Sequence, residues 1–461
     1  MQWDQVVVYY LLYSLSGLGI LLTLIHLLYR RRSAISITAW LLLLIIAPYF
    51  FVIIYFLFGI RKRSFNKEKS PLSMHMQKRG TPSVHDIDTL LRSHGIPPST
   101  GDNEFKLYIN GVEAYTALFE AIQAAQHSIS LSTYVLKNDS VTAELFDLLI
   151  KKSQAGVEVR ILTDAFGSIG IYLWKRSVKR LAEAGIHLSF FMPLLNLPFQ
   201  NRLNLRYHRK IYLIDDKVLF SGGMNLAKEY MGPEYTQARW MDLLYRCEGS
   251  VVDYYTDIFE SDWSYVEEER VEKRVHKHSA DRGSCMLQVV PSGPDVSSDA
   301  LLEAMIYGMH KASKRIWIVT PYFVPDEFIL EALQIAYHRG VDIKLITPKE
   351  SDHLMVNLVR SSYIRELQEW GVDVAFYEGA ILHAKAILFD DDAVMLGSVN
   401  LDNRSLLLNY EVMSIAYSKK EIHQMDVWMK ELLEHSSSDF KPAGKIRRIF
   451  ENLMRIFALQ L

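Results

Sequence analysis

One residue pattern occurs in both halves of this chain and limits the possible fold more than any other feature. The first copy reads His208-Arg-Lys210-Ile-Tyr-Leu-Ile-Asp215 and is followed by Gly222, Gly223 and Asn225. The second copy reads His383-Ala-Lys385-Ala-Ile-Leu-Phe-Asp390 and is followed by Gly397, Ser398 and Asn400. Matching residues at matching spacings indicate that one structural unit is present twice.

The segments that precede the two copies are also alike. In the first half, a helical pattern at 118–126 precedes an apolar strand at 129–134, and another strand follows at 155–163. The corresponding ranges in the second half are 302–312, 316–322 and 339–347. Helices that alternate with strands predict α/β domains with central sheets. The sequence therefore predicts two similar α/β sandwich domains with pseudo-two-fold symmetry, at 104–270 and 284–461, with a linker at 64–103 and a charged connector at 271–283.

The His and the Lys of each copy are two positions apart in a strand, so they project from the same face. An imidazole and an ammonium group therefore emerge side by side in each half. The Asp lies at an odd offset from the His, and we interpret Asp215 and Asp390 as supports of the local structure. A lone histidine in a strand is most often a core residue, but that interpretation does not explain two matching sets.

Two such sets suit phosphodiester exchange through a covalent intermediate. One neutral imidazole attacks phosphorus, and the other protonates the leaving alkoxide. The two lysines, with Asn225 and Asn400, can donate hydrogen bonds to the non-bridging oxygens, so this chemistry requires neither a metal nor another cofactor. Because each half supplies one set, the sequence predicts one active site at the interface between the halves.

The paired pattern resembles the signature of the phospholipase D superfamily, and the resemblance runs from about Phe105 to the C-terminus. Four further segments are similar to bacterial cardiolipin synthases: Asn400-Leu-Asp402-Asn-Arg404-Ser405, Asn409-Tyr-Glu411, Pro291-Ser-Gly-Pro-Asp295 and Arg239-Trp-Met-Asp242. The resemblance implies two phospholipase D-type domains and the catalytic set His208, Lys210, Asp215, His383, Lys385 and Asp390.

The same resemblance implies supporting residues around the histidines. Glu411 is expected to hold His383 in the reactive tautomer, and Asp242 is expected to hold His208. For Asp242, a role as a surface or capping acid is an equal alternative. Gly223 stands where the second copy has Ser398, so the two histidines need not be equivalent. The nucleophile is assigned to His208 by analogy alone.

The N-terminal part of the chain contains two apolar runs, Val6–Tyr29 and Ile35–Ile60, each closed by basic residues. Each run is long enough for a membrane helix, which needs about 20 residues. The sequence therefore predicts a two-helix transmembrane hairpin at 1–63. The basic residues after the second run modestly outnumber those between the runs, which favours a cytoplasmic catalytic body.

Two other segments have an apolar character that bears on lipid. The run Phe190–Phe199 contains two prolines, and it either covers the core or dips into the bilayer surface. The C-terminal stretch Lys445–Leu461 has the spacing of an amphipathic helix. Such a helix can lie on anionic lipid or pack on the body of the protein, and the second arrangement is the more common.

Composition narrows the classes of function. The formal net charge of -2 provides no general electrostatic support for nucleic-acid binding. The two cysteines, Cys247 and Cys285, exclude a disulfide scaffold. The resemblance implies an enzyme of the cell membrane that joins two phosphatidylglycerol molecules into cardiolipin, with phospholipids and the membrane as partners. The alternatives are a phospholipase D-type hydrolase, a membrane-bound nuclease and an inactive scaffold.

Overall fold

The computed structural model of the protein describes residues 17–29, 34–58, 69–74, 83–193, 205–268, 282–296, 298–351, 354–440 and 442–455. Residues 6–16 and 59–60 of the predicted membrane spans lie outside this set, as does most of the connector at 271–283. Residues 194–199 of the proline-containing run Phe190–Phe199 also lie outside it.

The described residues of the N-terminal part form three helices: α1 (residues 17–29), α2 (Ala34–Ile46) and α3 (Pro48–Phe58). The second predicted span is thus divided at Pro48, whose nitrogen carries no hydrogen to continue the helical hydrogen bonds. The helices pack through Leu27, Trp40, Leu44 and Tyr55, and the Tyr55 hydroxyl lies 2.6 Å from His26 Nδ1. Among the described residues, no helix is both long and apolar enough to cross a membrane.

The main body begins with the helix α4 (Asp86–Ser93), and the first half follows. Its strands and helices are β1 (Thr100–Tyr108), α5 (Gly111–Ala124), β2 (Ser128–Thr133), α6 (Ser140–Gln154), β3 (Glu158–Asp164), α7 (Ile169–Leu173), α8 (Arg176–Glu183), β4 (His187–Phe191), β5 (Ile211–Ile214), β6 (Val218–Gly222), β7 (Leu244–Glu248) and α9 (Val251–Glu267).

The second half repeats this order with additions. Its strands and helices are β8 (Cys285–Ser292), α10 (Ala300–Lys311), β9 (Arg315–Val319), β10 (Phe323–Val324), α11 (Glu327–His338), β11 (Asp342–Pro348), α12 (Leu354–Trp370), β12 (Asp373–Tyr377), β13 (Ala386–Phe389), β14 (Ala393–Gly397), β15 (Leu401–Asp402), α13 (Asn403–Leu407), β16 (Glu411–Ala416), α14 (Lys419–Glu434), β17 (Ser436–Ser437) and α15 (Lys445–Met454).

Within the described residues, fifteen of these strands form one continuous sheet, in the order β17-β12-β11-β9-β13-β14-β16-β8-β1-β7-β6-β5-β2-β3-β4. Read towards the middle of the sheet, β12-β11-β9-β13-β14-β16-β8 of the second half correspond to β4-β3-β2-β5-β6-β7-β1 of the first half. The strand β17 is an addition at the edge of the second half. The halves join where β1 pairs antiparallel with β8, so that Asn103 lies opposite Cys285. The predicted duplication of the α/β unit is therefore confirmed, and the two sheets are fused edge to edge.

The hydrophobic core explains why the halves form one body. One cluster of buried residues belongs to the first half and another to the second, but a third cluster includes Leu107, Trp263, Leu388 and Trp428 from both halves. The segment predicted as a linker at 64–103 contains α4, whose Ile87 and Leu91 pack into the core of the second half. Burial of such side chains stabilises the contact by about 1.5–3 kcal/mol each.

Candidate active site

The two His-Lys pairs lie where the motif strands enter the sheet. His208 and Lys210 precede β5, and His383 and Lys385 precede β13. Both histidines line one cavity of about 700 Å³, together with Asn225 and Asn400. All four side chains of the pairs are buried, and Lys210 is 0 % exposed. The tertiary structure thus brings the two copies of the motif together at the interface of the halves.

The carboxylates that hold the histidines are exchanged between the halves. His208 Nδ1 lies 2.8 Å from Glu411 Oε2, and His383 Nδ1 lies 2.7 Å from Asp242 Oδ2. The sequence prediction, which paired Glu411 with His383 and Asp242 with His208, is therefore wrong. That prediction paired each histidine with a carboxylate of its own half.

Backbone pairing between the halves causes this exchange. The His208 N–H donates to the Tyr410 carbonyl at 2.8 Å, so the segment before β16 lies beside the first motif. The His383 N–H donates to the Met241 carbonyl at 2.7 Å, which places the segment before β7 beside the second motif. Each histidine is consequently oriented by a carboxylate from the opposite half.

The difference between Gly223 and Ser398 follows from these carboxylates. A Cβ on Gly223 would lie 2.1 Å from Asp242 Oδ1, so a side chain there would displace the carboxylate that holds His383. The Ser398 hydroxyl, in contrast, donates to Glu411 Oε2 at 2.5 Å. The first half thus combines glycine with aspartate, whereas the second combines serine with the longer glutamate.

Asp215 and Asp390 lie at the far ends of the motif strands. Asp215 accepts hydrogen bonds from the backbone N–H groups of residues 126–128, and Asp390 accepts them from those of residues 313–315. Both residues have positive φ angles, of 53° and 49°. Their carboxylates therefore fasten the motif strand to the turn before β2 or β9, and neither residue lines the cavity.

Burial sets the protonation states near the histidines. It lowers the pKa of His208, an effect strengthened by the Lys210 charge, although Glu411 opposes it. Burial also lowers the pKa of Lys210 to about 7, and the charge of Lys385 contributes to this shift while Glu411 opposes it. For Asp242, burial raises the pKa to about 6. Burial thus favours a neutral His208 imidazole, and an anionic phosphodiester bound nearby would favour the charged form of Lys210.

Comparison with known proteins identifies the family. The family described as "Cardiolipin synthase, PLD-like domain" matches residues 118–263 and 305–433. The chain belongs to this family. The major cardiolipin synthase of Bacillus subtilis (strain 168) is 32% identical over 425 residues, covering 87% of each chain. A cardiolipin synthase of Geobacillus thermodenitrificans (strain NG80-2) is 32% identical over 439 residues, covering 90% of this chain and 85% of the relative.

A solved structure supports the fold. The phosphatidylserine synthase of Haemophilus influenzae Rd KW20 matches with a TM-score of 0.60 at 14% sequence identity, covering 81% of this chain and 97% of the other. The family model and the curated relatives confirm the predicted family, and the family model together with this solved structure confirms two phospholipase D-like α/β domains.

A buried ionic cluster beside the first motif was not predicted from the sequence. The Arg209 guanidinium donates to Asp262 at 2.7 Å and to Asp295 at 2.9 Å, and Lys69 forms ion pairs with the same two carboxylates. All four side chains are almost completely buried. Arg209 therefore ties the first motif to α9 and to the second half, although its place between His208 and Lys210 gave no indication of this role. The segment Pro291-Ser-Gly-Pro-Asp295 was the only sequence signal for this cluster.

Aromatic and cationic residues complete the cavity wall. The rings of Tyr230, Trp240 and Tyr322 lie 5.2–6.4 Å from the His383 ring, measured between centroids. On the side of His208, the wall includes Tyr134, Arg206, Arg404 and Asn409. These residues lack a motif of their own, although Trp240, Arg404 and Asn409 fall within segments similar to the family.

Proposed function

We propose that this protein synthesises cardiolipin by transferring a phosphatidyl group from one phosphatidylglycerol to another, with release of glycerol. The observation that carries this proposal is the convergence of His208 and His383 on one cavity, each held by a buried carboxylate. The curated relatives that cover most of the chain are named cardiolipin synthases, which favours this reaction over others possible at such a site.

In the proposed first step, neutral His208 attacks phosphorus and forms a phosphorus–nitrogen bond. The bond between phosphorus and the oxygen of the headgroup glycerol breaks, and His383 gives a proton to that departing oxygen. In the second step, His383 takes a proton from a hydroxyl of another phosphatidylglycerol, whose oxygen displaces His208 from phosphorus. Lys210, Lys385, Asn225 and Asn400 would stabilise the negative charge that develops on the non-bridging oxygens.

Hydrolysis by the same residues, which would release phosphatidic acid, differs only in the acceptor. Transfer requires that water be kept from the covalent intermediate. The rings of Tyr134, Tyr230, Trp240 and Tyr322 form much of the cavity wall, which favours a lipid acceptor over water.

The reaction is tested by incubating detergent-purified protein with phosphatidylglycerol and excess chelator, followed by mass spectrometry of the products. We expect cardiolipin and free glycerol, and neither product from the Lys210→Ala or Lys385→Ala protein. Phosphatidic acid as the sole product would identify a hydrolase. Full activity in both lysine variants would contradict the assigned roles.

We also propose that the protein is an enzyme of the cell membrane, with residues 1–63 as a transmembrane hairpin and the catalytic body in the cytoplasm. The helices α1, α2 and α3 support a lipid environment, because Leu28, Ile45 and Phe50 are 60–77 % exposed. Exposed apolar side chains at this density are costly in water.

The C-terminal helix α15 supports contact with lipid in another way. It packs on α12 through its polar face, with Glu451 bound to Arg365 at 2.7 Å and Arg448 bound to Glu369 at 2.9 Å. Four of its apolar residues, Ile446, Ile449, Phe450 and Leu453, point outwards, and Ile446 and Ile449 are 86 % and 69 % exposed, whereas Met454 is buried in the core of the second half. This orientation suits an apolar face that lies in a membrane surface.

We predict that Ile449 contacts lipid in the full-length protein. An Ile449→Cys protein carries a polarity-sensitive dye at this position, since Cys247 and Cys285 are buried. In proteoliposomes of phosphatidylglycerol, we expect a blue-shifted emission that spin-labelled lipid quenches several-fold more than the emission of the same dye at Lys179→Cys on α8. Equal quenching at the two sites would contradict lipid contact, and a shift that depends on protein concentration would indicate self-association.

A further inference from the structure

The two sides of the catalytic cavity are chemically different, although the fold is nearly symmetric. Arg206 lies two residues before His208, and the corresponding residue before His383 is Ile381. Arg404 lies four residues after Asn400, and the corresponding residue after Asn225 is Glu229. Two positively charged residues on one side therefore correspond to an apolar and an acidic residue on the other.

The segments that contain the carboxylates Glu411 and Asp242 also differ in polarity between the two sides. Asn409 precedes Glu411 by two residues, as Trp240 precedes Asp242. Asn409 and Trp240 both line the cavity, so a polar amide on the side of His208 corresponds to an indole ring on the side of His383. A site that treated both of its lipids alike would not need this asymmetry.

The two arginines are close enough to interact. Arg206 is only 3 % exposed, lies 3.3 Å from Asp164, and is stacked over the Phe166 ring at 5.5 Å. Burial, strengthened by the nearby charge of Arg206, lowers the pKa of Arg404. Two guanidinium groups held near each other in a buried wall favour the binding of an anion between or beside them.

Buried amide oxygens lie in the same wall. Within the described part of the chain, Asn409 Oδ1 and Asn400 Oδ1 have no hydrogen-bond partner, although both residues are less than 10 % exposed. A buried carbonyl oxygen that lacks a partner costs about 1–3 kcal/mol, so a hydrogen bond donated by a bound ligand would stabilise it. A hydroxyl group of a lipid headgroup is such a donor.

The reaction brings two phosphodiesters into this cavity, each with one negative charge. Lys210 and Lys385 lie beside the histidines, where the reacting phosphate must bind. Neither lysine lines the cavity itself; the Arg and Lys residues of its described wall are Arg206, Arg404 and Lys137, and Lys137, whose side chain is 52 % exposed, is paired with Glu229 at 2.6 Å. Without a cation of its own, the second phosphate would incur a large desolvation penalty.

We propose that Arg206, Arg404 and Asn409 form a subsite for the acceptor lipid, in which the arginines bind its phosphodiester and the amide oxygen accepts from its headgroup hydroxyl. The ligand class is an anionic glycerophospholipid whose headgroup carries free hydroxyls. This subsite rests on the proposed function, because it selects the molecule that attacks the covalent intermediate. A neutral alcohol makes no use of the arginines.

The test compares two acceptors on the same enzyme. Detergent-purified protein receives phosphatidylglycerol alone, to form cardiolipin, or phosphatidylglycerol with excess ethanol, to form phosphatidylethanol. For Arg404→Gln we expect cardiolipin formation to fall by about 10- to 100-fold, as for loss of a charged hydrogen bond, with phosphatidylethanol formation changed less than about threefold. Arg180→Gln, on the surface of α8, is the matched control and should change neither product.

We choose Arg404 for substitution because replacement of Arg206 would also leave the buried Asp164 carboxylate without its ion-pair partner. Arg404→Lys keeps the charge and should recover part of the cardiolipin activity. Equal losses of both products in Arg404→Gln would overturn the proposal, because the arginine would then serve the donor or the fold. Unchanged cardiolipin formation would overturn it as well. Failure of the proposed function is distinguishable, since the unaltered enzyme would then form no cardiolipin.

Discussion

Replacement of His208 by alanine is expected to lower cardiolipin formation by about 10⁴-fold or more, and His383→Ala by at least about 10²-fold. Loss of the nucleophile removes the covalent path, whereas loss of the acid and base slows both steps along it. The measurement is the initial rate of cardiolipin formation from phosphatidylglycerol. His423→Ala, at an exposed position on α14, is the control and should retain full activity.

The two histidine variants also identify the nucleophile. A phosphodiester with a good leaving group, such as p-nitrophenol, needs no protonation on departure. The His383→Ala protein should therefore still form a phosphatidyl adduct on His208 from this substrate. Without its base, the adduct should persist long enough for mass spectrometry of the intact protein. An adduct in His208→Ala, and none in His383→Ala, would reverse the two roles.

Replacement of Glu411 by glutamine is expected to lower the rate of cardiolipin formation by between about 10² and 10⁴-fold. The amide has nearly the same shape as the carboxylate but can present a donor to His208 Nδ1, which favours the wrong tautomer. Asp242→Asn should have a comparable effect through His383. Measurement of the phosphatidyl adduct by mass spectrometry distinguishes the effect of Glu411→Gln from that of Asp242→Asn.

Because the carboxylates are exchanged between the halves, each carboxylate variant should show the same kinetic defect as the alanine variant of the histidine that the carboxylate contacts. Glu411→Gln should slow adduct formation from the activated substrate, as His208→Ala does. Asp242→Asn should leave adduct formation fast and slow the breakdown of the adduct, as His383→Ala does. The opposite pattern would support the pairing within each half that the sequence had predicted. Glu431→Gln, an exposed change of the same kind on α14, is the matched control and should alter neither step.

Much of the site followed from local sequence. Side chains at i and i+2 of a strand share a face, which was sufficient to predict that His208 and Lys210 emerge together and that Asp215 does not. The duplication required that His383 and Lys385 do the same, and it predicted a shared site between the halves. The alternating helices and strands were sufficient for the α/β class.

Only the tertiary structure decided how distant segments meet. The spacing of a motif contains no information on which strand lies beside it, so the exchange of Glu411 and Asp242 depends on backbone pairing of Tyr410 with His208 and of Met241 with His383. The same holds for Lys69, whose burial against Asp262 and Asp295 joins segments far apart in the chain. The sequence determined which chemical groups the protein has, because strand geometry is local. The folded sheet determined their partners, because contacts between strands depend on the packing of the whole core.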